Sequence, residues 1–68
     1  MSCAPLVPAV AFEGSAIYAG PDRTSEIVIT LEKRTPVCAS AAAQGFGFRR
    51  VKLVNGTEGF IRVSDFSE

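Results

Sequence analysis

The amino-acid sequence predicts a single small all-β domain, on three observations. A chain of 68 residues has room for only one domain. Apolar residues make up 47% of it and charged residues 21%, which favours a packed core over disorder. Runs rich in Val, Ile, Thr and Phe alternate with turn residues about every ten positions, a spacing typical of a small barrel or sandwich of short strands.

The N-terminal part of the chain contains a lead and two short strands. Two prolines three positions apart exclude a helix from residues 1–8, and we expect this segment to be a mobile lead. The folded domain is expected to span residues 9–68. Its first strands are predicted at residues 9–12 and 17–19, each of which ends at turn residues.

The middle of the chain shows the period-two alternation of a strand. Ile27, Ile29 and Leu31 are expected to share one face, because alternate residues of a strand point the same way. A further strand is predicted at residues 35–40. Residues 39–43 favour a helix by composition, but a helix that short is unstable in water, so we interpret them as a strand end followed by a loop.

The clearest pattern is a hairpin in residues 48–63, in which two strand-like runs flank Asn55 and Gly56. An Asn-Gly pair suits a two-residue type I′ turn, and Gly59 indicates a bulge or a close backbone approach. Residues 64–66 then suit one 3-10 turn. Five strands and this turn fit an SH3-like barrel. Its expected core consists of Val10, Phe12, Ile17, Ile27, Ile29, Leu31, Val37, Val51, Leu53, Ile61, Val63 and Phe66.

The two cysteines leave the cellular compartment open. A bridge between Cys3 and Cys38 would contribute about 4 kcal/mol, but buried cysteine often behaves as a small apolar residue, so unpaired thiols are the favoured expectation. The N-terminus lacks the features of a secretory signal, and no apolar run approaches the roughly 20 residues of a membrane span. The sequence suits a cytoplasmic protein, or an envelope or secreted one if a signal preceded Met1.

The composition argues against most catalytic chemistry. The chain contains no His, which removes the commonest general base and the commonest zinc ligand. Two cysteines alone do not complete a four-ligand zinc site, and Cys38 has no His partner that would activate it as a nucleophile. The carboxylates fall at turns or on polar strand positions. We therefore expect no enzymatic activity, no metal and no cofactor.

Positively charged residues are concentrated in one part of the sequence, at Arg49, Arg50, Lys52 and Arg62. With two phenylalanines beside them, they could hold single-stranded nucleic acid by stacking and charge. Neighbouring strand residues point to opposite faces, however, so the positive charges divide between the two sides. The formal net charge of zero also argues against nucleic acid and anionic membranes, and charged strands that discourage aggregation are the favoured explanation.

Several short motifs follow one another in a particular order. Residues 17–21 end in Gly-Pro, and residues 27–37 form an Ile/Val-rich run that passes through a charged turn. Residues 47–51 (Gly-Phe-Arg-Arg-Val) and 59–61 (Gly-Phe-Ile) flank the Asn-Gly turn. In this order the motifs resemble the bacterial SH3 domains (SH3b, or SH3 type 3), and the likeness covers about residues 9–66.

The chain departs from the family pattern at three positions. Phe48 and Phe60 stand where tryptophan is usual, and Arg34 stands where glycine is usual. Phenylalanine keeps a flat apolar surface but loses the indole N–H donor. In this family a shallow aromatic groove lies between the loop after the first strand and the later strands. The resemblance implies a ligand-binding groove of Tyr18, Phe48 and Phe60. We further expect a polar rim, formed by Asp22 and Glu26 on the loop side and by Arg50 on the strand side.

Bacterial SH3 domains usually target or anchor a neighbouring enzyme, often a cell-wall hydrolase. The resemblance therefore implies a non-catalytic module that binds a peptidoglycan stem peptide or a protein segment, and a monomer is the favoured oligomeric state. A rival class is the protomer of a small symmetric enzyme with a shared active site, as in the plasmid-borne type II dihydrofolate reductases. We see no convincing match to the motif of that enzyme, and the oligomeric state separates the two classes.

Overall fold

The computed structural model of the chain describes residues 3–43 and 45–68. Within them, the fold is all-β, as predicted. The described part of the chain contains no helix that could span a membrane. Its elements are β1 (Val7–Ala11), β2 (Ala16–Tyr18), β3 (Ile27–Thr30), β4 (Thr35–Ala39), β5 (Phe48–Leu53), β6 (Glu58–Arg62), a 3-10 turn (Val63–Asp65) and β7 (Phe66–Ser67).

The strands form one open antiparallel sheet in the order β3-β2-β6-β5-β4-β1-β7. The predicted five-stranded closed barrel is therefore wrong, because the described residues form seven strands and the sheet ends at two edges. The chain after the 3-10 turn adds β7, which pairs with β1. The short β2 is a full member of the sheet and pairs with both β3 and β6.

One face of the sheet forms the hydrophobic core. Because no second layer of strands or helices covers this face within the described residues, the sheet buries it by curling around it. Seven of the predicted core residues belong to the buried cluster, and three alanines complete it. The cluster contains Ala9, Ala11, Ile17, Leu31, Val37, Ala39, Val51, Leu53, Ile61 and Phe66.

The edge strand β3 departs most from the predicted core. Ile27 is 50% exposed and Ile29 is 37% exposed. The pairing with β2 shifts between Ile17 and Tyr18, so that Ile29 lies opposite Ile17 but Ile27 lies opposite Tyr18. Since Ile17 and Tyr18 point to opposite faces, this bulge sends the two isoleucines to opposite faces as well. The prediction that they share the core face is wrong.

Three other predicted core residues also lie elsewhere. In β1, Ala9 and Ala11 are buried in the core, so the alternation directs Val10 to the other face, where it is half-buried. Phe12 follows the end of β1 and is 40% exposed, and Val63 opens the 3-10 turn with 44% of its surface exposed. The predicted core took Val10 and Phe12 from this strand, whereas the residues that point into the core are Ala9 and Ala11.

The N-terminal segment is tied to the sheet. Cys3 is buried and forms a disulfide with Cys38, so the expectation of unpaired cysteines is wrong. Cys38 points away from the core, because its neighbours in β4 point into it. The sheet itself begins at Val7, two residues before the predicted domain boundary, while Met1 and Ser2 of the expected lead lie outside the described residues.

The hairpin of β5 and β6 is present, but its turn differs from the predicted one. Gly56 N donates to Leu53 O at 3.0 Å, and Thr57 N donates to Asn55 Oδ1 at 2.9 Å. Gly56 has a φ of +92°, whereas the described non-glycine residues, Asn55 included, all have negative φ. A type I′ turn needs positive φ at both central residues, so the loop instead spans residues 54–56 and ends at the left-handed glycine.

Candidate functional site

Four of the predicted site residues lie on the face of the sheet that points away from the core, which we call the outer face. Tyr18 in β2 lies opposite Phe60 in β6, and Phe60 lies opposite Arg50 in β5. Side chains of directly opposed residues project to the same face of a sheet. Phe48 is two positions from Arg50 along β5 and therefore shares that face. The strand pairing thus brings the aromatic residues together.

The contact between β2 and β6 depends on the absence of a side chain at Gly59. A Cβ atom there would lie 2.5 Å from Ile17 Cγ2 and 2.6 Å from the Tyr18 carbonyl oxygen. Both distances are far below van der Waals contact, and a backbone oxygen has little freedom to move. Gly59 is therefore what allows Tyr18 to lie beside Phe60, in agreement with the close approach predicted from the sequence.

Two of the three aromatic rings are largely inaccessible. Tyr18 is 8% exposed and Phe48 is 3% exposed, and their rings meet edge to face with centroids 5.4 Å apart. Such a pair is a favourable aromatic contact that fixes both rings. Phe60 is only half-buried. Tyr18 and Phe48 therefore form a rigid, mostly buried pair of rings, and Phe60 is the most solvent-exposed of the three.

Two loops meet beside the Tyr18–Phe48 pair, one between β2 and β3 and the other between β4 and β5. They touch at Pro21 and Gly45, where a Cβ atom on Gly45 would collide with the Pro21 carbonyl oxygen. Gly45 also has a φ of +60°, which favours glycine. The first loop is braced internally, since Thr24 N donates to Asp22 Oδ1 at 2.9 Å and Ser25 Oγ donates to Gly20 O at 3.0 Å.

Between these loops lies a cavity of about 600 Å³, which we call the loop groove. Phe46 stands at the tip of the second loop and is fully exposed, while Phe48 presents its remaining surface to the groove. Arg23 from the first loop and Arg62 from the end of β6 supply positive charge. The groove is lined by Pro21, Asp22, Arg23, Gly45, Phe46, Phe48 and Arg62.

The structure therefore assembles only part of the predicted site. Asp22 and Phe48 line the loop groove, whereas Tyr18 and Phe60 lie next to it on the outer face. Glu26 is exposed just before β3, where its carbonyl oxygen accepts a hydrogen bond from Ala19 N, and it does not line the groove. Arg50 lies across the hairpin from Glu58, with 3.4 Å between its Nη2 and Glu58 Oε1, and does not line it either.

Five of the seven residues that line the groove were not predicted as site residues, namely Pro21, Arg23, Gly45, Phe46 and Arg62. Phe46 lies between Gly45 and Gly47, a pattern that is typical of a loop but indicates no function. Arg62 is two positions after Phe60 in the same strand, so alternation alone places both on the outer face. Arg23 follows Asp22 in a loop, and no periodic signal distinguishes it from an ordinary surface charge.

Local contacts hold two of the three charged residues that line the groove, Asp22 and Arg62. Hydrogen bonds from the Thr24 backbone N–H, and secondarily from the Thr24 hydroxyl, lower the pKa of Asp22 below its ordinary value. Asp22 therefore stays negatively charged at neutral pH. Arg62 Nε lies 3.4 Å from Asp65 Oδ2, and Arg23 has no ion-pair partner in the described part of the chain.

A second, smaller cavity of about 390 Å³ lies under the disulfide-linked N-terminal segment. It is bounded by residues 3–6 on one side and by Cys38, Lys52, Leu53 and Val54 on the other. Residues 3–43 and 45–68 contain no group of three or more His, Cys, Asp or Glu side chains suited to hold a metal ion. The loop groove is the larger of the two cavities and combines aromatic with charged groups, so it is the better candidate site.

Comparisons with protein-family models, with curated proteins and with solved structures give no match.

Proposed function

We propose that the chain is a non-catalytic binding module that holds a short peptide segment in the loop groove. A peptidoglycan stem peptide or a segment of another protein is a ligand of this kind. The resemblance to bacterial SH3 domains supports a peptide ligand, and the geometry supports a site at the loop end of the outer face. The proposed site therefore keeps Phe48 and Asp22 and adds Phe46, Arg23 and Arg62.

The observation that carries this proposal is the pairing of a fully exposed aromatic ring with a cavity beside it. Phe46 is 100% exposed at the mouth of the groove, so a ligand that covers it removes a large apolar surface from water. Phe48 is already held in place by Tyr18, so this ring needs no further ordering on binding. A site this small still has to offset the cost of association, and we expect micromolar or weaker affinity.

The disulfide is informative about the cellular compartment in which such a module works. Disulfides persist in oxidising compartments and are rare in the cytosol. The bond between Cys3 and Cys38 therefore supports a cell-envelope or secreted setting. That setting is consistent with a cell-wall peptide as ligand.

Replacement of Phe46 by alanine tests the proposed function. In an NMR titration with a muropeptide and, separately, with a proline-rich peptide, we expect one of the two to shift the amide resonances of Arg23, Gly45 and Phe46. Phe46→Ala should then weaken binding by about 1–3 kcal/mol, as is typical of an aromatic anchor. Its melting temperature should stay that of the native chain, because the ring makes no buried contact.

Val54→Ala is the matched control. Val54 is also an exposed apolar residue in a turn, with 65% of its surface accessible, but it does not line the loop groove. This variant should bind as the native chain does. Equal losses in both variants, or shifts confined to residues remote from the groove, would contradict the proposed site.

A further inference from the structure

We propose that the loop groove recognises the free C-terminal carboxylate of its peptide through the guanidinium groups of Arg23 and Arg62. This inference rests on the peptide-binding function proposed above and specifies which part of the peptide the site selects. Its basis is that two arginines with unused hydrogen-bond donors line the same cavity as two phenylalanines. The contact between the two loops bounds this cavity on one side.

The arginine donors are available to a ligand. Arg62 Nε faces Asp65 Oδ2 at 3.4 Å, which orients the side chain, while its two terminal nitrogens have no hydrogen-bond partner among residues 3–43 and 45–68. The guanidinium of Arg23 likewise has no acceptor in those residues. A guanidinium presents parallel N–H donors that match the two oxygens of a carboxylate, and such charged hydrogen bonds are stronger than neutral ones.

The shape of the groove favours a chain end over a segment that passes through it. The contact between Pro21 and Gly45 joins the two loops, so the cavity is bounded where these lining residues meet. Its volume of about 600 Å³ is in the range of sites that enclose a small ligand. A peptide whose last residues cover Phe46 and Phe48 would bring its C-terminal carboxylate into the same cavity that Arg23 and Arg62 line.

Asp22 provides an independent check on the charge of the ligand. Its carboxylate also lines the groove and would repel a bound anion. Replacement by asparagine removes the charge but keeps an oxygen that can accept the hydrogen bond from Thr24 N. Asp22→Asn should therefore strengthen the binding of an anionic ligand without disturbing the loop.

Three acetylated probe peptides test whether the groove selects a C-terminal carboxylate, any carboxylate, or the peptide irrespective of its charge. The first is Ala-Ala-Leu-Ala with a free C-terminal carboxylate, and the second is the same peptide with a C-terminal amide. The third is Ala-Glu-Leu-Ala amide, which carries a carboxylate only on a side chain. We expect the free acid to bind at least about tenfold more tightly than either amide in NMR titrations of the native chain, as the loss of charged hydrogen bonds implies.

Substitutions of Arg23, Arg62 and Asp22 identify the side chains that affect binding of the carboxylate. Arg23→Gln and Arg62→Gln should each weaken binding of the free acid about fivefold to tenfold and leave the amide unchanged. Asp22→Asn should bind the free acid about twofold to fivefold more tightly. Arg34→Gln, which removes an exposed arginine that does not line the groove, is the control and should change nothing. Unchanged melting temperatures establish that each variant is folded.

The outcomes distinguish this inference from the proposed function. Equal binding of the free acid and the amides would overturn the carboxylate recognition while leaving a peptide-binding groove. Tight binding of the glutamate-containing amide would show that the arginines bind any carboxylate. That result would overturn the inference that the groove selects the C-terminal end of a peptide. Absence of shifts at Gly45 and Phe46 with all three probes and with the muropeptide and proline-rich peptides would refute the binding function itself.

Discussion

At the level of single residues, the position most sensitive to change is Gly59, where β2 and β6 approach each other. Gly59→Ala should destabilise the fold by about 1–3 kcal/mol, because the added methyl group must displace Ile17 or the Tyr18 backbone. Urea denaturation followed by fluorescence or circular dichroism measures this, and the midpoint should fall while the slope of the transition stays constant.

Gly20→Ala is the corresponding control. The nearest atoms to a Cβ at Gly20 belong to the Ser25 side chain at 3.5 Å, an ordinary contact, and the backbone there is not left-handed. This variant should stay within about 0.5 kcal/mol of the native chain. An equal loss of stability at both positions would mean that the effect reflects glycine flexibility rather than the packing of β2 on β6.

The roles of single glycines were visible in the sequence because they follow from backbone geometry alone. Gly56 was expected in a turn and has a positive φ, and Gly59 was expected at a close approach and lies at one. Phe46 shows the limit of such reasoning. The glycines on either side of Phe46 are typical of a loop, but the cavity beside it depends on a contact between Pro21 and Gly45, which are far apart in sequence.

At the level of elements, strands with regular pairing on both sides were the most predictable. In β5 the alternation directs Val51 and Leu53 to the core, as expected, because β4 and β6 hold the strand in register. The strand β3 has a neighbour on one side only, and a bulge reverses the direction of Ile27 relative to Ile29. A period-two pattern identifies a strand but contains no information about bulges in its pairing.

The N-terminal segment is an element whose stability can be tested directly. The disulfide between Cys3 and Cys38 spans 35 positions of sequence, and in the chain-entropy model a loop of that length contributes about 4 kcal/mol. Reduction should therefore lower the melting temperature by about 15–30 °C for a domain of this size. Thermal unfolding followed by circular dichroism, with and without dithiothreitol, measures the change.

A Cys3→Ser/Cys38→Ser double variant separates the disulfide from other effects of the reductant. Without dithiothreitol it should melt at the temperature of the reduced native chain, and the reductant should not change it further. An unchanged melting temperature on reduction of the native chain would show that the rest of the sheet supplies the stability by itself.

At the level of the whole molecule, composition and turn spacing were sufficient to predict an all-β domain, and the strand order brought Tyr18, Phe48 and Phe60 to one face. The number of strands was not predictable in the same way. The two residues of β7 become a strand only because they meet β1. The loop groove is likewise a tertiary feature, and only Asp22 and Phe48 among its residues were expected in the site.

The two edges of the sheet determine whether copies of the chain associate. β3 exposes Ile27, Val28 and Ile29, which would favour edge-to-edge pairing, but its bulge interrupts the regular row of hydrogen-bonding groups that a second strand needs. β7 contains only two residues. Neither edge offers a long flat strand, and a short strand contact falls well below the roughly 1,200 Å² buried in stable complexes.

We therefore expect the 68-residue chain to sediment as a single 7.2 kDa species from micromolar to millimolar concentration in analytical ultracentrifugation. A concentration-dependent dimer or tetramer would contradict this prediction and would revive the class of symmetric enzymes with a shared active site. Val28→Lys then locates the contact, since a charge on an exposed edge strand opposes pairing with a second copy. If this variant is monomeric where the native chain is not, β3 is the interface, and the bulge is a weaker barrier to pairing than we infer.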